Sequence, residues 1–506
     1  MNCTPRTVAA VPHVSLPSVP LRSVSLAVLA SALMAGCSMV PVMPERTLPV
    51  AAQWPDGAAA QTAGTPAAAP ASLTWRQYFA DERLQALIEA ALAQNRDLRV
   101  AVLNIDQARA AWQIARADQL PTVNAALNGT RQPGSTAPYA VGTTATGGLS
   151  ISAFELDLFG LVAALSEAAS AQFLATEEAR KTVQISLVAS VAHGYYQWWA
   201  DQWQLALAEQ TLRTREATLK LQQLKFDQGV LNELDLRTAQ SAVEQARIAV
   251  AQFRRAVQLD ANAMTLLLGQ PLQPQWAPLV PTLRLSTEGD AEAAAPIIDA
   301  RKLWPSLSAL PVGLPSEVLL KRPDIVQAEQ LLKAANANIG AARAARFPRI
   351  ALTASAGVAS NSLEGLFTDG RTAWSFAGNL TAPIFDMGRS AANVQVSELK
   401  RDAAVAQYDK AIQTAFREVS DALVSRSTYG DQVQAQQAQV EAEAARFRLS
   451  ALRYRTGVAS QLDLLDAQRS LFAAQQSLIS TELARQQAHI GLYKALGGGL
   501  EAPATP

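Results

Sequence analysis

Residues 454–469, YRTGVASQLDLLDAQR, have the composition of a helix end, a tight turn and a new helix start. Gly457 is suited to end the first helix, because glycine takes the left-handed conformation without a steric penalty. Ser460, followed three residues later by Asp463, has the pattern of a helix N-cap with an acid near the positive helix end. The stretch predicts the tip of a helical hairpin, although taken alone it also fits an ordinary turn between two core helices.

This tip occurs twice in the chain. Residues 226–240 read FDQGVLNELDLRTAQ, and a shift of 228 positions places Gly229 and Val230 on Gly457 and Val458. Asn232 with Asp235 repeats the N-cap pattern of the other copy. The chain is therefore a tandem repeat whose best-preserved part is the hairpin tip.

Prolines are absent from two long windows, 139–270 and 384–502. Within each window an Ala-, Gln- and Leu-rich pattern runs for nearly 70 residues, from Gly160 to Gly229 and from Gly388 to Gly457. A continuous helix of that length reaches about 100 Å, at about 1.5 Å per residue. No single globular core needs such an arm, so length favours a long hairpin over an ordinary turn.

Shorter elements surround each arm. Apolar residues at helical spacing predict helices over residues 84–119, 231–268, 316–346 and 460–496. Roughly alternating segments predict strands over residues 122–131, 147–158, 349–359 and 374–385. The fold class is mainly α with a small β part. The first repeat occupies residues 73–270 and the second 316–498, with a Pro-rich linker at 271–315 and a tail at 499–506.

The N-terminus predicts a secretory leader over residues 1–36. It carries Arg6 and Arg22 but no acid, and its apolar run, residues 24–36, is too short to span a bilayer. The segment LMAGC, ending at Cys37, resembles a bacterial lipobox, which implies a covalent lipid on Cys37. Ser38 after it implies sorting to the outer membrane, and residues 37–72 predict a Pro- and Ala-rich tether. Plain signal cleavage that leaves a free thiol is the alternative.

Composition argues against several other classes of protein. Lys and Arg number 43 and so do Asp and Glu, which leaves no basic footprint for nucleic acid. No HExxH, GxSxG or P-loop pattern occurs, and His193 and His489 lack metal-ligand spacing. An aromatic cluster, which we expect to serve packing, comprises Tyr195, Tyr196, Trp198, Trp199 and Trp203. We expect no enzyme, no metal site and no cofactor apart from the lipid.

Four strands are too few to close a membrane barrel, because known single-chain barrels start at about eight. Open sheet edges are not tolerated in lipid, so several copies of the chain must share one barrel. Placing a strand pair between each short helix and its long arm puts all strands at one end and both tips at the other. The pattern predicts a membrane barrel continued by a helical tube.

Four motifs carry a resemblance that covers essentially the whole chain from Cys37 onward. They are LPSEVLLKRPDI at 314–325, AARAARFPRIALTASAG at 341–357, PIFDMGR at 383–389 and the second tip. Together they resemble the outer membrane factor family of TolC- and OprM-type channels, within it the OprM-like lipoprotein branch. The resemblance implies a homotrimer with a shared twelve-stranded outer-membrane β-barrel, a periplasmic α-barrel and an equatorial belt. It also implies two partners, a periplasmic adaptor and an inner-membrane RND pump.

The resemblance also implies site residues at the tips. Leu462, Asp463, Asp466 and Arg469 match a periplasmic gate. Repeated by the trimer, the two acids should favour cations at the mouth, and we expect mutual repulsion to raise their pKa. Tyr454 matches a gate-linking tyrosine, although Ala459 replaces its usual arginine partner. The first tip offers only Asp235 to the gate. The residues that match adaptor contacts are Gly229, Val230, Gly457 and Val458. The alternatives are solvated surface charge for the acids and simple helix capping for the glycines.

The predicted function is the outer-membrane exit duct of a tripartite drug efflux system, gated at the periplasmic tips. Type I protein secretion is the alternative within the family. A lipid-anchored coiled-coil scaffold without a pore is the alternative outside it, although a scaffold has no use for the four strands.

Overall fold

The computed structural model describes residues 38–43, 47–51, 54, 74–133, 141–279, 304, 307–308 and 316–498. The first repeat contains α1 Trp75–Tyr78, α2 Glu82–Gln94, α3 Arg96–Ala117, β1 Val123–Pro133, β2 Val141–Leu156, α4 Leu161–Asp227 and α5 Glu233–Leu268. The second contains α6 Pro323–Ala344, β3 Arg349–Ser360, α7 Gly365–Thr368, β4 Arg371–Thr381, α8 Arg389–Arg455 and α9 Gln461–Ala495. The leader, Cys37, most of the tether, most of the linker and the tail lie outside the described residues.

The two long arms are continuous helices, as predicted. α4 and α8 each run for 67 residues. Proline is absent from both, so no backbone donor is missing from the i to i−4 ladder. Each is followed by a short turn and a returning helix, α5 or α9, which begins within two residues of its predicted start. Among the described helices, none combines the length and the apolar character needed to cross a membrane.

The predicted helix over residues 84–119 is instead two helices, α2 and α3, that meet at Asn95. Asn95 has extended backbone angles, φ −60° and ψ 131°. Its Oδ1 accepts from the Leu98 backbone N–H at 2.9 Å, and its Nδ2 donates to the Leu267 carbonyl at 2.9 Å. The amide thus caps α3 and holds the end of α5, a contact far away in sequence that helical periodicity does not register.

The predicted helix over residues 316–346 also differs. A 3₁₀ turn, Ser316–Lys321, comes first, and α6 begins at Pro323. Proline disfavours helical angles in the residue before it and has no N–H, so it fits the first turn of a helix and not its interior. Among the strands, β2 begins six residues earlier than predicted and β4 three residues earlier. Their first residues, VGTTAT in β2 and RTA in β4, carry too few apolar side chains to show the alternation of a strand.

The four strands form one antiparallel sheet in the order β1-β2-β3-β4. Its two faces differ in chemistry because side chains alternate across each strand. Cross-strand rows such as Ala125, Leu149, Ala356 and Trp374 place apolar residues on one face. Neighbouring rows place Ser355 and Ser375 on the other face, where their hydroxyls lie 2.8 Å apart. The exposed apolar residues of the first face include Val123, Leu127, Leu149, Trp374, Phe376 and Leu380.

The chain divides into two compact units. One comprises Gln113–Ala168, Ala335–Lys400 and the described residues before Pro44, and so holds the sheet. In it, the N-terminal segment 38–43 packs on α6, where Asn336 Nδ2 donates to the Pro41 carbonyl at 2.7 Å. A Cβ added to Gly340 would lie 2.5 Å from a Val40 methyl group. The first residues after Cys37 are therefore fixed to the unit that carries the strands.

The other unit comprises Pro44–Trp112, Ala169–Ala334 and Arg401–Pro506, and it contains the main apolar core and both hairpin tips. The rings of Tyr78 and Tyr493 stack with centroids 4.1 Å apart, and the Tyr195 hydroxyl donates to Asp81 at 2.9 Å. Burial raises the pKa of both Tyr78 and Tyr195, so neither hydroxyl ionises at neutral pH. The predicted aromatic cluster is thus packed core.

Candidate gate at the hairpin tips

Both tips have the same backbone geometry, and it follows from the glycines. Gly229 and Gly457 have φ of +70° and +73°, in the left-handed region that lacks a steric penalty only for glycine. The next residue then turns back on the helix: Val230 N donates to the Lys225 carbonyl at 2.9 Å, and Val458 N donates to the Arg453 carbonyl at 2.9 Å. The predicted turn is confirmed in both copies.

The new helices start with the predicted caps. The Asn232 side chain accepts from the Asp235 N–H at 2.8 Å, and Ser460 Oγ accepts from the Asp463 N–H at 3.2 Å. At the second tip the Asp463 carboxylate also accepts from the Ser460 N–H at 3.0 Å, which completes a capping box. Asp235 and Asp463 are thus parts of caps, a role that accounts for both acids locally.

Within one chain, the pKa of Asp463 is lowered. Hydrogen bonds from the Ser460 hydroxyl and backbone N–H lower its pKa, and the positive charge of Arg453 adds to this. Repulsion from Asp466 acts in the opposite direction but is the smallest contribution. Hydrogen bonds to the ionised form outweigh repulsion between the two acids.

The pKa of Asp466 is also lowered within one chain, because two arginines flank it. Arg446 Nη2 on α8 donates to Asp466 Oδ2 at 2.5 Å, and Arg469 Nη2 donates to Asp466 Oδ1 at 2.6 Å. The hydrogen bond from Arg446 is the largest cause of the lowered pKa of Asp466, and the charge of Arg469 also contributes. Asp466 therefore ties α9 to the preceding arm α8.

Arg446 is a residue that the sequence analysis missed. The ion pair of Arg469 with Asp466 lies within α9, three residues away. The bridge between helices comes from Arg446, whose other guanidinium nitrogen donates to Glu443 at 3.1 Å. The sequence signal for Arg446 is its position three residues after Glu443. This spacing of an acid and a base is common on surface helices, so it does not single out Arg446.

Tyr454 ties the two hairpins together. Gln222 Nε2 on α4 donates to the Tyr454 hydroxyl at 2.8 Å, and Lys225 Nζ donates to it at 3.3 Å. The Lys225 ammonium also lies 5.2 Å from the ring centroid. Both partners belong to the first tip and were not identified from sequence. The structure thus gives Tyr454 a linking role with partners other than an arginine at position 459.

The tips expose apolar side chains at repeated positions. Val230 and Val458 are 75% and 67% exposed, and Leu234 and Leu462 are 75% and 68% exposed. Leu462, Asp466 and Arg469 line one groove with side chains of α5, as their spacing on one helix face suggested. Asp235 of the first tip does not line this groove. The two tips therefore share a backbone geometry, but only the second places an acid in the groove.

In the part of the chain that the structure describes, no group of three or more His, Cys, Asp or Glu side chains is placed to hold a metal ion. Burial is the main cause of a lowered pKa at both His193 and His489, about 4 for His489, so both imidazoles are neutral at pH 7. The candidate site therefore consists of hydrogen bonds and ion pairs between helices, together with the exposed apolar side chains of the tips.

Comparisons with known proteins agree with this architecture. Residues 87–270 and 314–498 each match the family model described as outer membrane efflux protein. The chain is 45% identical over 473 residues to two Pseudomonas putida proteins, the antibiotic efflux pump outer membrane protein ArpC and the toluene efflux pump outer membrane protein TtgC. Each match covers 92% of this chain and 93% of the relative.

A solved structure has the same fold. The open state of the Neisseria gonorrhoeae MtrE outer membrane channel matches with a TM-score of 0.79 and 38% identity, covering 92% of this chain and 99% of that one. The two family matches coincide with the two structural repeats, each with its own strand pair and hairpin. The chain belongs to the outer membrane efflux protein family.

Proposed function

We propose that this protein is the outer-membrane exit duct of an efflux pump and that it opens and closes at its hairpin tips. The gate is supported by the hydrogen bonds at the second tip, which we call ties. Arg446 on α8 donates to Asp466 on α9, and Gln222 and Lys225 of the first hairpin donate to Tyr454 of the second. The tie between Arg446 and Asp466 is exposed, so a small free-energy change suffices to exchange it, whereas the two ties to Tyr454 are partly buried.

The sheet supports a shared outer-membrane barrel. In the described chain, β1 and β4 are edge strands, which lipid tolerates only when each is paired. The face with Trp374 and Phe376 suits lipid, and the face with Ser355 and Ser375 suits a wet lumen. Three copies with four strands each would give the twelve-stranded barrel that the family resemblance implies. The purified protein should then have about three times the mass of one mature chain by light scattering.

The lipid on Cys37 remains part of the proposal. The segment 38–43 packs on α6 in the unit that also holds the sheet, so a lipid on Cys37 would precede a segment that is fixed to that unit. Labelled palmitate should be incorporated into the native protein and not into Cys37→Ser. Incorporation into both would refute acylation at this residue.

The names of the relatives support a cargo, and the exposed tips support a partner. ArpC is named for antibiotics and TtgC for toluene, so we propose small drug-like and apolar solutes as cargo. The exposed Val230, Leu234, Val458 and Leu462 suit contact with the hairpin of a periplasmic adaptor, which would connect the duct to an inner-membrane RND pump.

Single-channel recording in planar bilayers tests the gate directly. Asp466→Ala should give longer-lived openings than the native protein, because it removes the tie between α8 and α9. Asp235→Ala is the matched control, since it removes an acid from the first tip that ties no second helix. Equal open times for both variants would refute the gate. Silence from all forms in protein shown to be inserted would instead favour a scaffold.

A deletion strain separates efflux from protein secretion. We expect it to become hypersensitive to antibiotics and toluene, and the native gene should restore resistance. Unchanged sensitivity together with loss of a secreted protein would favour type I secretion.

A further inference from the structure

One buried cation beside the candidate gate lacks a counter-charge. Arg215 on α4 is 8% exposed, and its Nη1 donates to the Ala242 carbonyl of α5 at 2.7 Å. Among the described residues, its Nε has no hydrogen-bond partner. Burial lowers the pKa of its guanidinium, and no nearby carboxylate opposes that shift. A buried charge without a counter-ion is costly, so this arginine needs a ligand or a role.

Arg215 lines the groove that also contains the gate residues. The groove lies between α5 and α9, and its charged and polar lining includes Arg215, Arg237, Gln245, Asp466 and Arg469. Its rim is open, because the Arg469 side chain is 72% exposed and Leu462 is 68% exposed. A small solute therefore reaches the groove from solvent.

The acids around the groove already form ion pairs with other arginines. Asp466 is shared by Arg446 and Arg469, and Glu233 accepts from Arg237 at 3.0 Å. Three arginines thus line the groove against the single acid Asp466. The excess positive charge is centred on Arg215, and guanidinium groups bind carboxylates through paired, charge-assisted hydrogen bonds.

We propose that a small diffusible dicarboxylate binds in this groove, with one carboxylate at Arg215 and the other at Arg469. Such an anion connects α4 of the first hairpin to α9 of the second. If the tips form the gate proposed above, the bound anion holds it closed. The binding itself does not depend on that function.

Equilibrium dialysis with radiolabelled succinate on the purified full-length protein tests the binding. We expect Arg215→Gln to bind at least about tenfold more weakly than the native protein, because a charged hydrogen bond is lost. Arg215→Lys should also bind more weakly, since an ammonium lacks the guanidinium fork. Arg254→Gln is the control, because Arg254 pairs with Glu209 at 3.4 Å and does not line the groove. No binding to the native protein, or equal binding to all forms, overturns the proposal.

Two further measurements separate the alternatives. Succinate on the tip side should shorten openings of the native channel and leave those of Arg215→Gln unchanged; a conducting native channel that ignores bound succinate overturns the closing role alone. Loss of the oligomer in Arg215→Gln by light scattering, without succinate binding to the native protein, would show that a carboxylate of a second copy pairs with Arg215 and would also overturn the proposal. A silent channel with intact succinate binding would count against the duct and not against the anion site.

Discussion

At the scale of single residues, the tips show how neighbouring groups decide the charge state of an acid. Asp463 and Asp466 lie close enough to repel each other, yet the pKa of each is lowered. The cause is local for Asp463, which completes a capping box with Ser460, and tertiary for Asp466, whose main partner Arg446 lies on another helix. The two acids therefore stay ionised at neutral pH, and each is held by hydrogen bonds to its own partners.

The bridge between Arg446 and Asp466 predicts a coupled effect on gating. Arg446→Ala should lengthen channel openings as Asp466→Ala does, because either change removes the same tie. The double variant should then match either single variant, since the second change has nothing left to break. Open times from single-channel recording measure this. Additive effects of the two changes would show that the residues act separately.

The lowered pKa values predict the pH dependence of the gate. A carboxyl group with a lowered pKa in the folded state provides its stabilisation above its ordinary pKa, about 4, and loses it as pH falls through the lowered value. Open probability should therefore stay flat from about pH 5 to 8 and rise only below about pH 4. Recordings across this range are the measurement. A transition between pH 5 and 7 that disappears in Asp466→Ala would contradict the lowered pKa.

At the scale of elements, each hairpin turn depends on one glycine, which ends the first helix, and on one polar N-cap, which starts the next. Gly457 has φ +73° with nothing within 4 Å of an added Cβ, so only backbone strain opposes a larger residue there. Gly430, inside α8, is also surrounded by open space. The two positions differ in backbone conformation alone, which makes them a matched pair.

Gly457→Ala should loosen the second tip, because a non-glycine residue in the left-handed conformation costs roughly 1–2 kcal/mol. Gly430→Ala should stabilise α8 by about 1 kcal/mol, because alanine favours a helix interior more than glycine does. Hydrogen exchange of peptides covering residues 450–465 should be faster in the first variant and unchanged or slower in the second. Equal exchange in both variants would show that the turn does not depend on glycine.

At the scale of the whole molecule, a buried arginine joins segments far apart in the chain. Arg322, at the start of the second repeat, donates to Asp324 at 2.7 Å, to Glu418 on α8 at 2.8 Å and to the Ala495 carbonyl at the end of α9 at 2.6 Å. Its side chain is only 9% exposed. It therefore holds the base of the second hairpin to the end of the linker.

Arg322→Ala should lower the free energy of unfolding by at most about 3 kcal/mol, because it leaves two partly buried carboxylates without their partner. Arg417→Ala should have little effect, since its pair with Asp421 is 3.8 Å long and exposed. Thermal unfolding followed by circular dichroism compares them. A transition temperature in Arg322→Ala as high as in Arg417→Ala would show that the network does not hold the base of the hairpin.

Sequence patterns were enough to predict the tandem repeat, the two long arms, the four strands and both tip turns, because proline absence, glycine conformation, N-cap chemistry and side-chain alternation are local properties. They did not predict the break at Asn95, the Arg446 bridge, the Tyr454 partners or the lowered pKa of Asp466. Each of these depends on which distant side chains the packed helices bring within hydrogen-bond reach. Asn95 meets Leu267 and Tyr454 meets Gln222 only after the helices have packed, so these contacts depend on the fold as a whole and not on local sequence.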